Sequence, residues 1–202
     1  MTTASLPIAF WQLLYPWFAN SIVARAVQLS LIFHAVASNT PSAWVSTMLA
    51  AGATASTLMT VPVGRLFNHW GPGPLNRISS YFCLAGTLGL YLFPVDFDHI
   101  YFSILIWVLV GQSLLFTSVA SYRGMGGLFT SKQRLVAFAR MNIVSNLSDI
   151  VTPLAIGWLF FIDPTFIPIV AGLLGVTNFL VPQPKIVPKG VNNTNTASLS
   201  LF

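Results

Sequence analysis

The sequence predicts an all-α membrane protein with six transmembrane helices and both termini in the cytoplasm. Of its 202 residues, 55% are hydrophobic and only 6% are charged, and the mean hydropathy is +0.76. Soluble domains carry about 25% charged residues, so this composition does not fit a water-soluble core. Most of the apolar runs reach the roughly 20 residues with which a helix crosses a bilayer, and they lack the alternation of barrel strands.

Polar or proline-containing breaks divide the apolar sequence into six runs. The predicted helices are 8–37, 43–66, 75–93, 100–121, 135–161 and 166–181. The first has no basic residue before it and is too long for a cleaved signal, so we expect it to remain a helix. We extend the third, whose apolar part begins at Ile78, back to 75, because Pro74 favours a helix start. Pro182 and Pro184 end the sixth.

The connectors differ in the sign of their charge. Basic residues lie beside the second, fourth and last boundaries: Arg65, Arg77, Arg123, Lys132, Arg134, Lys185 and Lys189. Acidic residues lie beside the third and fifth: Asp96, Asp98 and Asp163. Basic connectors stay in the cytoplasm, which places both termini there. Residues 1–181 form the predicted six-helix domain, and 182–202 form a flexible cytoplasmic tail without apolar periodicity.

Two helices end on similar sequences, which predicts an inverted repeat of three plus three helices. The second ends Pro62-Val-Gly64-Arg-Leu-Phe, and the fifth ends Pro153-Leu-Ala-Ile-Gly157-Trp-Leu-Phe. The predicted topology puts one copy at the cytoplasmic face and the other at the outer face. Secondary transporters are often built from such inverted repeats.

The connector after the second helix carries a family resemblance. It reads Gly64-Arg-Leu-Phe-Asn68-His69-Trp-Gly71-Pro-Gly. This resembles the signature loop of the major facilitator superfamily, Gly-x-x-x-Asp-(Arg/Lys)-x-Gly-(Arg)-(Arg/Lys), with both glycines at the matching spacing. Asn68 replaces the acid, His69 replaces a permanent cation, and the final basic pair is absent. Gly64, Asn68, His69 and Gly71 are therefore the expected conformational loop.

Two further segments are similar to the same superfamily. Pro153 and Gly157 match two positions of its Gly-Pro-x-x-Gly-Gly signature, and Asn20-Ser21-Ile-Val-Ala-Arg25 looks like the opening of its exporter branch. A complete member has twelve helices, so this chain resembles the N-terminal half. The resemblance implies transport of a small solute by alternating access, with a second copy or a second six-helix half as partner. It also implies an integral location, which we expect to be the bacterial inner membrane.

A non-transporting membrane scaffold or assembly subunit is the alternative function. In that case the polar positions would be a seam between helices, and a larger complex would cover the exposed face. Lipid is an expected partner under both readings. We expect no cofactor, no metal, no nucleic-acid partner and no enzymatic activity, since neither a ligand cluster nor a phosphate loop is evident.

Arg25 and Asp149 are the most informative candidates, because each lies deep in an apolar run. A charge at the bilayer centre costs at least ~2.5 kcal/mol on insertion scales and persists mainly with a partner or a task. Arg25 lies twelve residues before Ala37, and Asp149 lies twelve before Phe161. Both are therefore about 18 Å from the outer helix ends. We expect an ion pair, either a structural one or one exchanged during transport.

Uncharged polar residues accompany this pair. Asn142 and Asn146 share a helix face with Asp149, and Gln28 follows Arg25 by one turn. Such a stripe lines a cavity or a helix contact. Gln112 in the fourth helix is a further cavity candidate. The segment Arg123-Gly-Met-Gly-Gly is expected to be a flexible break after the fourth helix.

Overall fold

The computed structural model describes residues 7–93 and 100–184, and all regular secondary structure in these ranges is helical. Six helices follow one another: α1 (Ile8–Ala37), α2 (Ser42–Trp70), α3 (Pro72–Leu92), α4 (Ile100–Leu128), α5 (Ser131–Ile162) and α6 (Phe166–Leu180). The predicted all-α class is confirmed for this part of the chain. The predicted tail beyond residue 184, and the predicted acidic connector at 94–99, lie outside the described residues.

Three helices, α1, α4 and α5, are long and apolar enough to span a membrane. They contain 30, 29 and 32 residues. α6 is also apolar but has 15 residues, about 22 Å at 1.5 Å per residue. It is therefore shorter than the hydrocarbon core of ~30 Å.

The turn between α2 and α3 contains a single residue, Gly71. Its φ of 73° lies in the left-handed region, which glycine enters without a Cβ penalty. Pro72 then occupies the first position of α3, where a missing N–H costs no hydrogen bond. The predicted connector is thus mostly helical, since α2 continues to Trp70.

The fourth helix is longer than predicted. The expected break at Arg123-Gly-Met-Gly-Gly was wrong, because α4 runs through it to Leu128. Met125 in this segment is fully buried and belongs to a core cluster with Phe10 and Phe129. Tertiary packing therefore overrides the low helix propensity of glycine.

The ends of α5 are fixed by local hydrogen bonds. Thr130 and Gln133 form a capping box, which starts α5 four residues before its predicted start. After α5, the Asp163 carboxylate accepts hydrogen bonds from the Thr165 N–H at 2.9 Å and the Thr165 Oγ1 at 2.8 Å. These bonds, the backbone one first, lower the pKa of Asp163 from its ordinary value.

α1 and α4 are the central helices of the bundle. α1 packs against α3, α4, α5 and α6, while α4 packs mainly against α1, α2 and α3 and has a small contact with α5. α2 rests mainly on α4 and α5 mainly on α1, and these two helices are not packed against each other. Both therefore keep one side open, as the few buried positions on each helix indicate.

Small residues let α2 and α3 approach the central helix α4 closely. A Cβ at Gly86 of α3 would overlap the Val110 side chain of α4, and one at Gly52 of α2 would overlap the Trp107 indole. Such close approach is typical of helix contacts in membranes.

Candidate functional site

The structure brings Arg25 and Asp149 together. Arg25 Nη1 of α1 forms an ion pair with Asp149 Oδ1 of α5, which confirms the predicted pairing. Equal depth in two helices that pack side by side explains the contact. The two side chains remain 26% and 49% exposed. The pair therefore lies at the edge of the α1–α5 contact rather than inside it.

Asn142 and Asn146 lie on the open side of α5. Both are exposed, and they precede Asp149 by seven and three residues on one helix face. The face that α5 buries consists instead of Ala137, Met141, Ser148, Thr152 and Ile156. Among the described residues the two asparagines are thus not part of a contact between helices.

A cleft of about 420 Å³ lies beside Gln28, between α2 and α4. Gln28 follows Arg25 by one turn and is half-buried. The α2 wall includes Gly52 and Ser56, and the α4 wall includes Trp107 and Ser118. α1 therefore presents Arg25 toward α5 and Gln28 toward this cleft.

Gln112, the predicted cavity candidate of α4, does not line this cleft. It is buried, and neither its Oε1 nor its Nε2 has a hydrogen-bond partner among the described residues. The cleft is lined by its neighbour Gly111 instead. One residue along a helix rotates a side chain by about 100°, which turns Gln112 away.

The four predicted loop residues lie at the end of α2 and the start of the next turn. Gly64 is buried, whereas Asn68 and His69 are exposed on the last helical turn. Arg123 of α4 donates from Nη1 to the Gly64 carbonyl at 2.9 Å, and it lies 3.5 Å from Asn68 Oδ1. A cation near the last carbonyls of a helix is favourable. Arg123 therefore joins α4 to this segment.

Sequence reasoning missed a buried polar network centred on Asn20. Asn20 Nδ2 donates to Ser79 Oγ at 2.7 Å, and Asn178 Nδ2 donates to Asn20 Oδ1. Ser79 Oγ in turn donates to the Ser113 carbonyl at 2.7 Å. These four residues belong to α1, α3, α6 and α4 and are buried. Asparagines inside apolar runs were the signal that could have identified the network.

Cys83 joins the same network. Its Sγ lies 2.8 Å from Ser113 Oγ, and the residue is fully buried. Two turns of α3 before Cys83, Asn76 accepts from Thr117 Oγ1 at 3.2 Å and donates to Gln183 Oε1 at 2.9 Å. The buried polar groups therefore connect four helices and the segment after α6.

Within the described ranges, no group of three or more His, Cys, Asp or Glu side chains is placed to hold a metal ion. The chemistry that the site offers is ionic and hydrogen-bonding: one guanidinium, one carboxylate and neighbouring amides on an open face. Comparisons with protein-family models, with curated proteins and with solved structures find no match for this chain.

Proposed function

We propose that this protein is a six-helix half of a secondary transporter, similar to a half of the major facilitator superfamily, and that it moves a small solute by alternating access. The observation that carries the proposal is the part-exposed Arg25–Asp149 pair. An ion pair with a purely structural role is favoured inside a contact, where its charges are shielded from lipid. This pair instead borders an open face with Gln28, Asn142 and Asn146. In a membrane such a face needs water, a solute or a partner.

The pattern of helix packing supports a three-plus-three inverted repeat. In such a repeat α1, α2 and α3 correspond to α4, α5 and α6, so each pairing of helices should have a counterpart. The α1–α5 pairing corresponds to α4–α2, and the α3–α4 pairing corresponds to α6–α1. The smaller α2–α3 and α5–α6 pairings correspond in the same way. The α1–α3 and α4–α5 pairings are the exceptions, since among the described residues α4 is not packed on α6 and α1 is not packed on α2. Repeats of this kind place a substrate site between the two halves.

The connectors support an orientation with both termini in the cytoplasm. Four basic residues lie within two turns of one end of the bundle: Arg65 near the end of α2, Arg77 near the start of α3, Arg123 near the end of α4 and Lys132 at the start of α5. Basic residues of short connectors favour the cytoplasmic side. The bond from Arg123 to the end of α2 gives the family-like loop a partner on α4.

A second six-helix unit, either a second copy or a separate half, is the partner that this function requires. α2 and α5 flank the central helices and are mostly exposed, so they are the surfaces that such a unit would meet. The unit would cover the open face and complete a cavity around Arg25 and Asp149. The bacterial inner membrane is the proposed location.

The test is uptake by vesicles that contain the purified chain, with lactate, glucose and alanine as anionic, neutral and zwitterionic probes. We expect uptake of at least one probe well above that of protein-free vesicles. Arg25→Ala and Asp149→Ala should each lower this uptake at least tenfold, because the site loses one of its two charges. The control is Arg140→Ala, which removes an exposed cation from another side of α5.

The double variant Arg25→Asp with Asp149→Arg separates the two roles of the pair. A structural pair works in either direction, so folded yield and uptake should both return. A pair that contacts the solute has a fixed polarity, so only the folded yield should return, which is our expectation. A chain that stays a single copy in the membrane and moves none of the probes would contradict the proposal and favour a scaffold.

A further inference from the structure

An apolar groove separates α3 from α6 on the outside of the bundle. It has a volume of about 410 Å³. Its walls include Leu84, Leu88, Ile169, Leu173 and Val176. Leu88 and Leu173 are more than half exposed, so the groove opens away from the core. In a membrane this side faces the hydrocarbon chains of the lipid.

The groove has little capacity for polar contacts. Thr87 lies in its wall, but the Thr87 hydroxyl donates to the Leu84 carbonyl of its own helix at 2.9 Å. Gly172 of α6 widens the groove opposite Thr87. A straight apolar chain can pack against these walls, whereas a polar solute would lose hydrogen bonds with water and gain none.

A second cavity continues the groove at one end. It has a volume of about 340 Å³ and shares Tyr91 and Pro168 with the groove. Its described lining adds two polar side chains, His34 of α1 and Thr165 before α6. The Thr165 hydroxyl is bonded to the Asp163 carboxylate, so a negative charge lies next to this cavity.

Together the two cavities match the polarity of one amphiphile. The groove is apolar and suits an acyl chain, whereas the second cavity, at the helix ends, has polar side chains in its wall. We call the second cavity the chamber. The described lining of the chamber contains no Lys or Arg. An anionic headgroup is recognised by such basic residues. A zwitterionic headgroup instead suits a chamber that has an imidazole in its wall and a carboxylate bonded to another wall residue, Thr165.

The length of α6 agrees with this ligand. Its 15 residues span about 22 Å, which leaves it several ångströms short of the hydrocarbon core. Short helices are accommodated by local thinning of the bilayer. A headgroup held in the second cavity, at the start of α6, agrees with such local thinning.

We propose that α3 and α6 bind one zwitterionic phospholipid, with an acyl chain in the groove and the headgroup in the chamber beside His34 and Thr165. The site is separate from the Arg25–Asp149 face, and the proposal does not depend on transport.

The first test fills the groove. An ideal Cβ at Gly172 meets only Thr87 Oγ1, at 3.9 Å, so Gly172→Trp places an indole in the groove without a backbone clash. Gly157→Trp on α5 is the matched control, because a Cβ there meets nothing within 4 Å. Native mass spectrometry after purification counts the bound phosphatidylethanolamine. We expect one molecule on the wild type and on the control, and an occupancy at least tenfold lower on Gly172→Trp.

The second test does not depend on whether Gly172→Trp folds. A phosphatidylethanolamine with a photoreactive acyl chain should label peptides of α3 and α6 in the wild type. Val176→Trp, at a half-exposed groove position, should reduce this labelling. Labelling that is spread evenly over α1, α2 and α5 would overturn the proposal.

A third test compares lipids with different headgroups to identify the headgroup that the chamber binds. We expect phosphatidylethanolamine to compete with the photoreactive probe better than phosphatidylglycerol, and His34→Ala to remove this preference. Free phosphoethanolamine, which has no chains, should not compete. Preferential binding of phosphatidylglycerol, or competition by the free headgroup, would overturn the assignment.

Discussion

Two polar regions on α1 differ in charge and in burial, although Asn20 and Arg25 are only five residues apart. Asn20 is fully buried and bonds to α3 and α6 through neutral amides and hydroxyls. Arg25 bonds to one carboxylate on α5 and stays part-exposed. Asn20 is paired with neutral groups inside the bundle, whereas the charged pair lies at an open face.

The difference follows from the cost of desolvation. An amide or hydroxyl loses a few kcal/mol in an apolar environment without a partner, while an isolated ion loses far more. A network of neutral groups can therefore stabilise the contact of four helices at a low cost of desolvation. If water fills the open face, as the proposed function requires, the part-exposed ionic pair contributes little stability.

The largest expected effect comes from breaking the neutral network. Asn20→Leu removes the bond to Ser79 and the bond from Asn178 and leaves both partners buried. Interhelical hydrogen bonds in membranes are worth about 0.6 to 1.7 kcal/mol each. We therefore expect the free energy of unfolding in detergent to fall by about 1 to 3 kcal/mol.

The matched control is Asn146→Leu, which changes an exposed asparagine that has no hydrogen bond within the described residues. It should change the unfolding free energy by less than about 0.5 kcal/mol. Equal losses for the two variants would contradict the difference between the regions.

Breaking the ionic pair should have a smaller effect on stability. Asp149→Asn keeps the shape of the side chain and removes the charge that faces Arg25. Because both groups are part-exposed, we expect a loss of less than about 1 kcal/mol in the same unfolding measurement. A loss larger than that of Asn20→Leu would show that the pair is the main structural element, and would weaken the proposed transport role.

The smallest effect concerns Asp163, a carboxylate outside both regions that is held by its own turn. The folded pKa is lowered by the Thr165 bonds, so the carboxylate stabilises the fold above the unfolded pKa of ~3.9 and loses this effect as pH falls through the folded pKa. Thr165→Val removes the hydroxyl bond and keeps the backbone bond. We expect the pKa of Asp163 in a carbon-13 titration to rise but to stay below ~3.9.

Thr165→Ser retains the hydroxyl and should leave the Asp163 titration unchanged. A wild-type carboxylate that already titrates at the ordinary value would refute this account of the turn.

The helices themselves were largely predictable, because apolar runs and prolines define them. The start of α1 and its end at Ala37 agree with the prediction, and α6 ends one residue early. The continuation of α4 past Ser121 was not predictable from propensity, since the burial of Met125 against α1 determines it. Periodicity describes one helix at a time and not its neighbours.

The same limit explains why the Arg25–Asp149 pair was predictable from the sequence and the Asn20 network was not. Arg25 and Asp149 could be paired from sequence, because rare charges at equal depth leave few partners. The bond from Asn178 to Asn20 joins residues 158 positions apart, and many polar residues could have taken either place. Gln112 was considered from its helix alone, and its direction away from the cleft depends on how α2 packs on α4.

The burial of Cys83 has a practical consequence for the open face. It is the only cysteine in the 202-residue sequence, and it is fully enclosed beside Ser113. A water-soluble maleimide therefore should not label the folded wild-type protein, so labelling experiments have no background signal. A cysteine introduced at Asn142 or Asn146 would report its own accessibility from each side of the membrane, and reaction at Cys83 would report unfolding.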